Sequence, residues 1–349
     1  MSAYDAIKER LLTFITTSAG KATTESSDFE SLALELFKFQ YENNPTYQKF
    51  CREQLKDRSP ESWTDIPALP LPAFRHAEVL SFPREKITRT FRTSGTTGDS
   101  YGQHFFADLE LYQAAALTGW RHAGLPEKNV FGLLPSPQEA PHSSLACMAG
   151  WLCKDNPFFL KENEIDLDYL RQTCEQTDAP LCLFGTALAF LNLFELLEKN
   201  NTDLSLPPES LAVETGGFKG SGRQIEKSVL YAKFTHFLGL PADDIRNEYG
   251  MTELSSQAYT QGLGRPHKCP PWLRAQVVHP STGREVNDGQ TGVLKITDLA
   301  NIGSVLAIQT RDLAIRHEKN FELIGRDPAA LPRGCSRSAD EVLNQGLLG

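Results

Sequence analysis

Thr93-Ser94-Gly95-Thr96-Thr97-Gly98, with Arg92 before it and Asp99-Ser100 after it, is the stretch on which the reading of this chain turns. It packs four hydroxyls and two glycines into six residues, a poor composition for a helix or a strand. Glycine permits positive φ and close backbone approach, and the hydroxyls hydrogen-bond oxygens or the local backbone. Successive exposed N–H groups in such a loop form an anion-binding concavity, so the hexamer reads as a phosphate-cradling loop. A Walker loop is excluded, because no Gly-Lys-Ser/Thr follows and the loop holds no lysine. An ordinary surface turn has the same composition, and what stands further along the chain decides between the two.

On the N-terminal side, residues 3 to 58 read as helical. Ile7, Leu11, Phe14 and Ile15 recur at helical spacing, as do Phe29, Leu32, Leu36, Phe37 and Phe39, and Pro45 interrupts the pattern. Five prolines between Ser59 and Pro83 mark an extended connector, and Lys86 to Arg92 has β character, so the loop follows a strand. Residues 108 to 123 look helical. Beyond them α and β alternate. Val130–Leu134, Pro180–Phe184, Leu211–Glu214 and Ile245–Tyr249 read as strands, with a helix from Thr186 to Asn200. A second helix opens at Ser221, with Gln224 completing a capping box, and stops at Gly239 before Pro241. This alternation predicts an α/β sheet with sites at the strand ends. From Pro270 short strands, at Leu273–Val278, Gly292–Thr297, Ser304–Thr310 and Phe321–Ile324, predict a β-rich subdomain.

The composition is that of an ordinary globular protein: 349 residues, 40% hydrophobic and 23% charged. A net charge of −9 argues against nucleic-acid binding, which calls for a basic face. The charged, amphipathic start carries no secretory signal, and no apolar run reaches bilayer length. The seven cysteines are odd in number and lack a CxxC spacing, which suits reduced thiols in a cytoplasmic protein.

Three later stretches give the hydroxyl loop its weight. Asn247-Glu248-Tyr249-Gly250-Met251-Thr252-Glu253 puts an aromatic face beside a turn, where it can stack on a base, followed by a hydroxyl and a carboxylate suited to a phosphate and its magnesium. In Gln309-Thr310-Arg311-Asp312-Leu313 an acid at a strand end is placed to accept both ribose hydroxyls, and Gly325-Arg326-Asp327 puts a basic residue at a joint. The ordered set resembles the adenylate-forming enzymes, among them acyl-CoA synthetases, over residues 85 to 327. The resemblance implies ATP and Mg2+ as cofactors. Thr93, Ser94, Gly95, Thr96, Thr97 and Gly98 would hold the phosphates. Tyr249, with Gly250 and Met251, would take the adenine, Thr252 the α-phosphate, Glu253 magnesium, Asp312 the ribose, and Arg326 would lie near the ribose.

Two departures matter. The loop continues as Asp99-Ser100-Tyr101-Gly102 instead of the usual Pro-Lys-Gly, and 22 residues follow Asp327 where relatives carry a lid domain with a lysine. The expectation is therefore the large N-terminal domain of that fold without the lid. Its parts are a helical region 1–84, an α/β nucleotide- and acyl-binding core 85–269, a β-rich subdomain 270–326 and a short tail 327–349. That tail holds Cys335 between Arg333 and Arg337, and flanking cations favour the nucleophilic thiolate. Here the chain looks like the acyl-protein synthetases of bacterial fatty-acid reductase complexes. By that likeness a fatty acid is activated as its adenylate, passes to Cys335 and is collected by a partner acyl reductase. Lys219, in Gly216-Gly217-Phe218-Lys219, either stabilises charge on the α-phosphate in place of the lid lysine or is an exposed lysine before a helix. His142 either lines the carboxylate pocket or is a loop histidine, and Cys269 beside His267 is a pair too small for a metal site. Two alternatives remain: an acyl- or aryl-CoA ligase of the phenylacetate-CoA ligase type, and a non-catalytic nucleotide-binding subunit.

Overall fold

The apolar spacing near the N-terminus produces helix α1 (Ala3–Thr17), which buries Ile7, Leu11, Phe14 and Ile15 on one face. Ser2 and Asp5 close a capping box at its start, satisfying donors that the first turn leaves open. A computed structural model describes residues 2–18, 26–56, 58–93, 101–162, 164–216 and 225–326. Helix α2 (Ser26–Asn43) ends at Asn44, whose side chain accepts from Tyr47 N–H and caps α3 (Pro45–Leu55) with Pro45 in its first turn. The proline-rich connector holds a short 3-10 turn (Trp63–Asp65), the two-residue strand β1 (Leu69–Pro70) and the single-turn helix α4 (Ala73–His76). Strands β2 (Arg89–Arg92) and β3 (Gln103–Phe106) then pair antiparallel, and α5 (Glu110–His122) follows.

The chain divides into two units. One takes Met1–His122, Met251–Gln257 and Lys268–Gly349; the other takes Ala123–Gly250 and Ala258–His267.

The second unit is the α/β sheet. Its strands are β4 (Val130–Leu133), β7 (Cys182–Thr186), β8 (Leu211–Thr215), β9 (Ile245–Tyr249) and β10 (Ala258–Tyr259). Between β4 and β7 lie α6 (Ser144–Cys153), the small hairpin β5 (Leu160–Lys161) and β6 (Glu164–Ile165), and α7 (Leu167–Glu175). The order is β10-β9-β8-β7-β4, parallel from β4 to β9 and antiparallel at β10. Helices α8 (Ala187–Lys199) and α9 (Lys227–Leu238) pack through Phe190, Phe194 and Phe234. The first of these starts on Thr186, whose hydroxyl accepts from Ala189 N–H. Helix α9 stops at Gly239 with φ +68, the left-handed cap that glycine supplies without strain. Its start differs from the expectation. The helix opens at Lys227, after Glu226, with no side-chain cap; the Ser221–Gln224 capping box lies outside the described residues.

In the first unit, β11 (Leu273–Val278), β12 (Thr291–Asp298), β13 (Ala307–His317) and β14 (Asn320–Arg326) form an antiparallel meander that β1 joins in parallel. Helix α2 is stitched to the segment before β13: Gln40 Nε2 donates to the Asn301 carbonyl at 2.8 Å, and Leu306 N–H donates back to Gln40 Oε1 at 2.8 Å. The strand expected at Ser304 begins at Ala307 instead and runs on to His317. Asp312 is therefore not at a strand end but inside a long strand.

Candidate active site

The hydroxyl loop leaves from a closed hairpin. Arg92 pairs with Gln103 in the β2–β3 ladder. Beyond that rung, Thr93 N–H donates to the Gly102 carbonyl at 2.9 Å, and Gly102 N–H donates to Thr93 Oγ1 at 2.9 Å. A Cβ on Gly102 would meet Thr93 Oγ1 at 3.0 Å and press on the side chain that closes the rung. Thr93 thus clamps the loop's base, while its hydroxyl hydrogen can still be donated to a ligand. Ser94, Gly95, Thr96, Thr97 and Gly98 lie outside the described residues, as do Lys219 and Cys335.

Met251, Thr252 and Glu253 belong to the same unit as that hairpin, and their backbone is pinned by side chains. His104 Nδ1 lies 2.7 Å from the Thr252 carbonyl oxygen, and Asn301 Nδ2 donates to the Glu253 carbonyl at 2.9 Å. Further on, Asp298 accepts from Ser255 N–H at 2.9 Å, Ser256 Oγ at 2.6 Å and Ala300 N–H at 2.9 Å. Glu253 is buried. A magnesium ion held by a nucleotide's phosphates needs only one or two protein carboxylates, and one buried carboxylate next to a threonine hydroxyl fits that donor set. Among the described residues no cluster of three or more His, Cys, Asp or Glu is placed to hold a metal. Asp312 is buried in β13, its N–H on Thr310 Oγ1 at 3.1 Å, and its ladder partner on β14 is Arg326.

Tyr249 closes the parallel strand β9 in the other unit, with Gly250 just beyond it, where open α/β sheets bind ligands. The Tyr249 ring is buried and meets the His267 ring edge-on, centroids 6.0 Å apart. His267 Nε2 is 2.8 Å from Asn247 Oδ1, which also accepts from Lys227 Nζ at 2.8 Å. Asn247 Nδ2 in turn donates to Glu214 Oε1 at 2.7 Å, and Lys227 Nζ stands 3.6 Å from the same oxygen. Sequence reasoning passed over Glu214 and Glu248. Both are fully enclosed at the ends of adjacent strands, in ladder positions next to each other's neighbours. Burial pushes Glu214 up despite the opposing Lys227 charge. It lifts Glu248 to about 7, against a hydrogen bond from Thr215 and helped by the Glu214 charge. A carboxylate inside the apolar run Leu211–Thr215 was the signal that could have found Glu214, since buried acids are rare unless paired.

His142 is exposed, immediately before the Ser143 cap of α6. Cys269 is a thiol pushed up to about 12 by burial. Burial likewise lifts Cys51 and Cys153 to about 12, Cys174 to about 11 and Cys182 well above its ordinary value.

Residues 153–344, more than half of the chain, match the family of LuxE, acyl-protein synthetase. The chain belongs to that family. The LuxE match takes in β9, β13, β14 and Cys335 alike. Two curated relatives are long-chain-fatty-acid–luciferin-component ligases. That of Aliivibrio fischeri is 21% identical over 343 residues, covering 91% of this chain and 89% of its own length. That of Vibrio harveyi is 21% identical over 327 residues, covering 88% and 85%. Among solved structures, 2-hydroxyisobutyryl-CoA ligase in complex with 2-HIB-AMP and CoA superposes with a TM-score of 0.66 at 14% identity, covering 87% of this chain and 76% of that one. ATP-bound MatB from Rhodopseudomonas palustris gives 0.50 at 16% identity, covering 71% and 49%. The fold of this LuxE-family chain is that of the adenylate-forming ligases. No helix among the described residues is long and apolar enough to cross a membrane.

Proposed function

We propose that this chain activates a long-chain fatty acid with ATP and carries the acyl group on Cys335 to a partner acyl reductase. The observation that supports this most is the family match, which runs unbroken from the α/β sheet through Cys335. The fatty acid's carboxylate oxygen attacks the α-phosphorus, the bond to pyrophosphate breaks, and a mixed acyl–phosphate anhydride forms. A carboxylate needs this step because a thiol cannot displace its oxygen at neutral pH. Positioning and charge neutralisation supply most of the catalysis in such displacements. Magnesium, when bound, would spread the charge that develops on the phosphates, and Glu253 would hold it.

In this reading Thr93, the loop residues to Gly98 and Thr252 hold phosphate oxygens, Tyr249 beside Gly250 and Met251 takes the base, and Asp312 with Arg326 takes the ribose side. Lys219 opposes charge on the α-phosphate. The Cys335 thiolate then attacks the acyl carbonyl, the carbonyl–phosphate oxygen bond breaks, and AMP leaves with that oxygen. Five other cysteines are held protonated by burial, so they are poor nucleophiles. Arg333 and Arg337 around Cys335 favour the opposite state.

Cys335→Ser tests the assignment. Fatty-acid-dependent ATP–pyrophosphate exchange should persist in the variant, and the hydroxylamine-labile acyl label on the protein should vanish. A label that survives the substitution assigns the acyl group elsewhere. AMP released only when coenzyme A is added, with Cys335 dispensable, would make the chain a CoA ligase.

A further inference from the structure

We infer that His104 is a positioning residue for the adenylation step, one side chain that fixes the Thr252 carbonyl relative to the hairpin carrying the hydroxyl loop. The inference rests on the activity proposed above. His104 sits on β3, two residues after the Gly102 rung where the chain leaves the loop, and is only 1% exposed. Its ring lies against Phe106, centroids 4.3 Å apart, and edge-on to Phe74 at 6.1 Å. The Thr252 carbonyl can only accept, so the hydrogen sits on Nδ1 and is donated across 2.7 Å. Nε2 then takes the hydroxyl hydrogen of Ser304 across 3.2 Å. The tautomer is thus set by its two partners. Ser304 is itself held, since its carbonyl accepts from Ser81 Oγ and from Asn44 Nδ2.

A buried histidine packed between phenylalanines is ordinarily part of a core. Its bonding partner makes the difference here. Of the residues of the first unit's core, His104 joins the strand emerging from the phosphate-cradling loop to the residue assigned to the α-phosphate, immediately before Glu253. Burial holds the imidazole down at about 4, so at neutral pH the ring keeps one donor and one acceptor. An apolar residue of similar size would fill the space and leave the Thr252 carbonyl without its donor. A shift of about 1 Å in the attacking geometry is enough to cost on the order of 100-fold in rate.

Two substitutions separate the bond from the packing. In His104→Asn the amide nitrogen falls near the place of Nδ1 and keeps the bond to Thr252. In His104→Gln the amide falls near Nε2, keeps Ser304 and gives up Thr252. Each is measured by thermal melting and by steady-state ATP–pyrophosphate exchange with palmitate. His104→Gln should lose at least about 10-fold in kcat with the palmitate KM unchanged, while His104→Asn stays within about 3-fold of wild type. Ser304→Ala, which removes only the Nε2 partner, should behave like His104→Asn and serves where a His104 variant does not fold.

Exchange in His104→Gln equal to wild type overturns the role, as does a Ser304→Ala variant as impaired as His104→Gln. A loss shared equally by both His104 variants, in step with their melting temperatures, makes the histidine a core residue only. A wild-type protein that exchanges with no acid overturns the proposed activity itself, and this role with it.

Discussion

Asp312 on β13 and Arg326 on β14 are backbone partners, and a bulge just beyond them sets that pairing. Leu313 faces Gly325 and Ala314 faces Leu323, so Ile324 is the extra residue on β14. Such a bulge bends its strand and changes which residues stand opposite one another. Two positions read from the sequence as ribose contacts are thereby held in one rung. Gly325 adopts φ +145, open only to glycine, although nothing lies within 4 Å of where its Cβ would be. Gly325→Ala should therefore cost backbone strain alone, about 1 kcal/mol, and weaken the rung. The expected outcome is a modest fall in melting temperature with a larger rise in the ATP KM for pyrophosphate exchange.

Glu248 should make the fold lose stability as pH rises from mildly acidic to neutral. Its folded value of about 7 stands above the ordinary carboxyl value of 4.5, so the native state holds a proton that the unfolded chain gives up. The contribution is complete below pH 4.5 and is lost as pH rises through 7, by up to roughly 3 kcal/mol. Glu214 is the titratable group facing it, and Thr215 supplies the neutral hydroxyl. Glu248→Gln copies the protonated acid. Chemical denaturation should show the variant gaining on wild type between pH 5 and pH 8.

Asp298 gathers three donors in a place with no exposure to water. Removing the acceptor leaves Ser255 N–H, Ser256 Oγ and Ala300 N–H with unmet hydrogen bonds. Asp298→Ala should lower stability by at least about 3 kcal/mol in equilibrium denaturation. Asp298→Asn keeps one acceptor oxygen and should recover part of it.

Gly185, near the end of β7, is tight for another reason. A Cβ there would meet the Leu133 carbonyl oxygen at 2.7 Å and the Phe190 ring at 3.2 Å. The first neighbour is backbone of the paired strand and cannot move aside. Gly185→Ala should cost about 1–3 kcal/mol, read as a lower melting temperature.

The parts of the fold that follow a local period were legible. Ile7, Leu11, Phe14 and Ile15 are buried as their spacing requires, and Gly239 ends α9 where Pro241 forbids its continuing. Boundaries set by long-range pairing were not. Asp312 looked terminal because polar residues interrupt the apolar run there, yet the β12 and β14 ladders carry β13 on to His317. His104 gave no signal at all. Its partners stand 148 and 200 residues away along the chain, and a single histidine in Gln-His-Phe-Phe has no spacing to read. Glu214 was hidden for the opposite reason, since it stands within a run that reads simply as a strand.

The stitch between Gln40 and the Asn301–Leu306 segment carries a practical warning. That segment also supplies Asn301 to the Glu253 carbonyl, so the foothold of the acid proposed to hold magnesium reaches back to a helix more than two hundred residues earlier in the chain. Trimming the N-terminal helices to obtain a minimal catalytic fragment would loosen that acid from afar, and a dead truncation would say nothing about whether those helices touch any substrate.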